Sequence, residues 1–80
     1  MPKLKILSGF EIIAIFRHFN FSIESQKGSH VKLLRKNGEA REILVVPNHK
    51  ELDKGTIVGI YKQALKYISA QELQKHFYSE

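Results

Sequence analysis

Phe21–Val46, FSIESQKGSHVKLLRKNGEAREILVV, is the stretch on which the fold turns. Phe21, Ser22, Ile23 and Glu24 alternate apolar with polar, the period of two expected of a strand with one buried face. Lys27, Gly28 and Ser29 interrupt that strand, and His30–Arg35 resumes an extended pattern rich in aliphatics and β-formers. Asn37-Gly38 predicts a two-residue hairpin turn, because both residue types tolerate positive φ. Arg41–Val46 is the returning strand, and Pro47 ends it. Three consecutive strands joined by tight turns specify an antiparallel meander.

On the N-terminal side, Ile12, Ile13, Phe16 and Phe19 recur at helical spacing and predict a helix over about residues 8–19. Ser8 followed three residues later by Glu11 reads as a capping box at its start. On the C-terminal side, the polar connection Asn48–Asp53 leads to a second helical pattern at Ile57, Ile60, Tyr61, Ala64, Leu65 and Ile68, beginning near Lys54–Thr56. Ser69 and Glu72 repeat the capping-box spacing and announce a short last helix that carries Leu73 and Phe77 to the core. The expected class is therefore α+β, in the order α-β-β-β-α. Both helices cover one face of a three-stranded antiparallel sheet, and a short extra helix follows, the arrangement of a double-stranded-RNA-binding domain. Phe10, Phe16, Phe19, Phe21 and Tyr61 fall mostly at core positions of these elements, so they are not read as base-stacking platforms. With no repeat or linker, residues 1–80 read as a single domain.

Eighty residues bury only about 60% of the surface their unfolded chain exposes, enough for one small core. With no cysteine and no zinc-ligand spacing, nothing staples that core, and modest stability is expected. No apolar run approaches the roughly 20 residues that span a bilayer, and Met1–Lys5 leads into no signal-peptide core. The expected home is the cytoplasm, with no membrane partner. Thirteen Lys and Arg against eight Asp and Glu give a formal charge of +5, which suits a polyanionic partner but also serves solubility alone. No phosphate-cradling glycine loop, nucleophile elbow or cysteine nucleophile is present, which argues against phosphoryl transfer from nucleotides and against a small-molecule cofactor.

One histidine stands out. His30 follows Gly28-Ser29, where glycine allows a sharp turn, and it opens a strand. If Val31 and Leu33 face the core, His30 and Lys32 face the other way, and Lys27 and Lys32 flank the imidazole in either hairpin register. Arg41 joins that face or leaves it with a one-residue change of register. Cleaving RNA without a metal needs a group that moves protons near neutral pH, and a histidine with its ordinary pKa of about 6.5 suits the task. It also needs donors for the charge gathering on the phosphorus oxygens, which Lys27, Lys32 and the N–H groups of Gly28 and Ser29 can supply. Whether His30 acts as acid or base stays open. The plain alternative is a solvated surface histidine. His49, in Pro47-Asn48-His49, can bind phosphate, assist His30 or satisfy a nearby backbone group. His18 and His76 read as ordinary surface or packing residues, and no carboxylate pattern completes a metal site around the histidines.

Four segments in one order carry a resemblance: Leu7-Ser8-Gly9, Lys27-Gly28-Ser29-His30, Val46-Pro47-Asn48-His49, and Lys54-Gly55-Thr56 leading to Ile60 and Gln63. Together they are similar to the HicA toxin family, whereas Asn37–Arg41 and Phe77–Glu80 carry no such signature. The resemblance implies a fold like that of double-stranded-RNA-binding domains, metal-independent endonucleolytic cleavage of mRNA, and neutralisation by a HicB-type antitoxin. It implies His30 as the catalytic residue, with Gly28 and Ser29 shaping its turn, while the chemistry of the residues themselves offers Lys27, Gly28, Ser29, Lys32 and His49 as substrate contacts. The rival is a binding module of the same fold that grips duplex RNA by shape and in which His30 is silent.

Overall fold

Ser8 opens the first long element as its spacing predicts. Its hydroxyl accepts the Glu11 N–H, and the Glu11 carboxylate accepts the Ser8 N–H, a complete capping box. The computed structural model describes residues 2–80. In chain order these form β1 (Lys3–Leu4), α1 (Gly9–His18), β2 (Ser22–Lys27), β3 (His30–Asn37), β4 (Ala40–Pro47), α2 (Lys54–Ala64), α3 (Ala70–Phe77) and β5 (Tyr78–Ser79). Strands β2, β3 and β4 make an antiparallel sheet in that spatial order, with β3 central. The α-β-β-β-α order and the extra C-terminal helix are those expected.

Pairing fixes the two faces. Val31 lies opposite Val46 and Leu33 opposite Leu44, and all four are buried with Ile12, Ile13 and Phe16 of α1, Ile57, Ile60 and Ala64 of α2, and Leu73 and Phe77 of α3. The alternate residues of β3 and β4, from His30 and Lys32 to Arg41 and Val45, stay outside the core. The helices therefore share one face of the sheet and leave the other open. Arg35 sits on the covered side and ties it together. Its guanidinium donates to the Glu42 carboxylate (2.6 Å) and to the carbonyls of Phe19 (3.0 Å) and Tyr67 (2.9 Å), and lies 4.8 Å from the centre of the Phe21 ring.

Several expectations are corrected. Strand β2 buries none of its residues: Phe21 is buried but precedes the strand, and Ile23 is 50% exposed. The helices pack over β4, so the edge strand β2 extends beyond their cover. The second hairpin turns on Gly38-Glu39 rather than Asn37-Gly38, since Asn37 still pairs with Ala40. Only Gly38 has positive φ (64°), the pattern of a type II′ turn, so one glycine at the first central position suffices. At α3 the capping box is half formed. Ser69 accepts the Glu72 N–H, but the Glu72 carboxylate takes the Ser69 hydroxyl proton instead of a backbone one. Phe10, expected in the core, is 74% exposed, because it lies beside Ile13 and Ala14 at the rim of the apolar face of α1, well round the helix from Ile12 and Phe16. Strands β1 and β5, which pair Lys3 with Ser79 and Leu4 with Tyr78, had no periodic signal. Among the described residues no helix is long and apolar enough to cross a membrane.

Candidate active site

The Lys27–His30 segment is a two-residue hairpin turn. Lys27 and His30 are the closing pair of the β2–β3 ladder, and Gly28 takes φ 60°, where a side chain would be strained even though space is open. His30 is the first residue of β3 and is exposed on the open face, with Lys27 across one side and Pro47 across the other.

The turn is anchored from behind. Asn48 donates its N–H to the Ser29 carbonyl (2.7 Å), and His49 Nε2 lies 2.9 Å from Ser29 Oγ. The loop that carries Asn48 and His49 is in turn seated on the start of α1, where the Gly9 N–H donates to the His49 carbonyl (2.9 Å). A Cβ at Gly9 would collide with the Pro47 carbonyl oxygen and with the backbone of Asn48 and His49, so this close approach requires glycine. Helix α2 is capped at its start and tied to the sheet near its end. Asp53 caps it by accepting the Thr56 N–H, a bond that with the Thr56 side chain holds the Asp53 carboxyl below its ordinary range. Near its C-terminus Gln63 Oε1 accepts the Val45 N–H (3.1 Å) and covers the free edge of β4. Three of the segments singled out in the sequence, those holding Gly9, Ser29 and Asn48-His49, thus join at one corner of the sheet, and Gln63 of the fourth bonds to β4.

Lys27 and Lys32 share the face of His30, as expected from either register. The register also settles Arg41, which lies on that face opposite Lys36. His49 is brought to Ser29, the residue before His30. His18 and His76 pack together between the ends of α1 and α3, ring centres 5.3 Å apart, each edge-on to Phe19. Desolvation, and then the charges of His18, Lys5 and Lys75, hold the His76 pKa below its ordinary value. Among the described residues no three His, Asp or Glu side chains gather closely enough to hold a metal ion.

Two participants escaped the sequence reading. Glu24 stands on the open face at a bulge between Ile23 and Ser25, and its carboxylate lies 3.5 Å from Lys32 Nζ and 2.7 Å from Arg41 Nη2. Gly9 seats the Pro47–His49 loop, a role that its place before a helix does not advertise.

A family model for the HicA toxin of bacterial toxin–antitoxin systems matches residues 9–65. The chain belongs to the HicA toxin family. The matched span of this HicA chain begins at the glycine that seats the loop and ends one residue beyond α2, so it takes in every contact that anchors the His30 turn. Helix α3 and the β1–β5 pair lie outside it. No curated protein and no solved structure gives a significant match to the chain.

Proposed function

We propose that this HicA toxin acts in the cytoplasm as a metal-independent endoribonuclease that cuts mRNA at His30, restrained by a HicB-type antitoxin. The observation that carries this reading is the placement of His30: an exposed imidazole on the central strand, beside Lys27 and Lys32, with its turn tied by Ser29 to Asn48 and His49. A proton-transfer group is effective when rigid backbone holds it and cations stand beside it. In the reaction the ribose 2′-oxygen attacks the adjacent phosphorus and the bond to the 5′-oxygen breaks. His30 either takes the 2′-OH proton or gives one to the departing 5′-oxygen, and solvent water exchanges the other proton. Lys27, Lys32 and the N–H groups of Gly28 and Ser29, which a two-residue turn leaves outside the ladder, stabilise the charge on the non-bridging oxygens. His49 holds the Ser29 side chain and contacts substrate from the loop. The antitoxin offers an acidic surface to the same basic face.

His30→Ala tests the reading. Expressed without antitoxin, the wild type arrests growth and degrades mRNA, while the variant does neither. Purified, the variant cleaves about 10²- to 10⁴-fold more slowly and still binds RNA. Equal growth and intact mRNA in both strains would remove the enzyme from consideration, and RNA binding unchanged by the substitution would then favour the shape-reading module.

A further inference from the structure

Building on the RNA-cleaving reading, we infer that Glu24 is a specificity-determining residue of that site: its carboxylate occupies the cations that RNA phosphates must use, and substrate binds by displacing it. Alternation from Ile23, which pairs with Leu33 on the covered side, sends Glu24 to the open face, and the bulge there leaves it without a partner of its own in the ladder. There Oε1 meets Lys32 Nζ at 3.5 Å and Oε2 meets Arg41 Nη2 at 2.7 Å. Lys32 lies two residues from His30 on the same strand and face, about 7 Å along it. The cation nearest the imidazole along β3 is therefore engaged by a carboxylate before substrate arrives.

Three features make displacement the natural reading. The carboxylate and its partners are partly exposed, with side-chain exposures of 31% for Glu24, 42% for Lys32 and 54% for Arg41, and ion pairs of that kind add little to stability. A phosphate oxygen offers the same cations an equivalent anionic acceptor, so the exchange preserves their pairing. Among the described strand residues on the open face, Glu24, placed there by alternation and by its ion pairs, is the one carboxylate, against Lys27, Lys32, Lys36 and Arg41. Glu42, by contrast, pairs with Arg35 on the covered side. Glu24 also draws Arg41 away from Lys36, the like charge directly opposite it. A chain with too little negative charge to fill this face fails to displace Glu24, which sets a threshold that favours polyanions.

The test uses the full chain with His30→Ala, which allows binding to be read without cutting, and a single-stranded RNA oligonucleotide titrated at several salt concentrations. Adding Glu24→Gln tightens binding about three- to ten-fold and steepens the salt dependence by about one phosphate contact. Glu24→Ala gives the same gain, which excludes an effect of the new amide. The gain disappears when Lys32→Ala and Arg41→Ala are added. RNA binding by the His30→Ala chain that Glu24→Gln leaves unchanged or weakens would overturn the role of Glu24 and leave the enzyme reading intact. No RNA binding at low salt by any of these chains would overturn both.

Discussion

At the scale of single residues, Arg35 and His30 show what a side chain's face decides. They stand five positions apart on β3, so alternation sends His30 to solvent and Arg35 to the covered side. Arg35 spends its donors on Glu42, Phe19 and Tyr67, and the Glu42 side chain is only 10% exposed. Removing one partner of such a pair leaves the other charge unmatched. Arg35→Ala is therefore expected to lower unfolding stability by about 3 kcal/mol, read from urea titration, and to lower the melting midpoint by more than about 10 °C. Loss of less than about 1 kcal/mol would show that the network is worth no more than a surface pair. His30→Ala, on the same strand but on the open face, leaves the midpoint within a few degrees.

Among elements, legibility followed the range of the forces that set them. The starts of α1 and α3 were readable because a cap is made within four residues, and Ser8 and Ser69 each accept the expected N–H, while the start of α2 near Lys54–Thr56 is capped by Asp53, which the sequence pattern places in the preceding connection. The place of His30, Lys27 and Lys32 on one face was readable for the same reason, since alternation is local. The ion pairs of Glu24 were not, although alternation from Ile23 sends its side chain outward, because Lys32 and Arg41 reach it only through the pairing of all three strands. The Arg35–Glu42 pair also needs the hairpin register, since a turn on Asn37-Gly38 would place Ala40 opposite Arg35, whereas the Gly38-Glu39 turn places Glu42 there. Two-residue strands such as β1 and β5 contain no period to detect. The contact between α1 and α3 carries a pH dependence of its own. The His76 pKa is held below its ordinary 6.5 in the fold, by desolvation first and then by His18, Lys5 and Lys75. In the window just beneath 6.5 the unfolded chain takes up a proton that the folded chain refuses, so the contribution is complete above it and declines as pH falls through it. The melting midpoint should drop between about pH 7.5 and 5.5, and His76→Gln should flatten that drop. A decline of equal size in the variant would assign it to other groups.

Taken as a whole molecule, this HicA chain divides its sheet between two tasks. One side carries the core that a chain of 80 residues can afford, and the other carries Lys27, His30, Lys32, Lys36 and Arg41 with a formal charge of +5 on the chain behind them. Crowding cations on one side costs some self-repulsion, which Glu24 relieves in the absence of RNA. The core side was legible as a pattern of apolar residues, and the charged side became meaningful only once pairing had aligned three strands. The hydrogen bonds that run from Ser29 through Asn48 and His49 to Gly9 have a dynamic consequence. Amide protons in connecting segments normally exchange with solvent deuterium in the fast, fraying class, yet those of Gly9 and Asn48 are spoken for. They should persist alongside the protons of β3 and α1 when the protein is transferred to heavy water, and their rapid loss would mean that the imidazole's foundation breathes independently of the core.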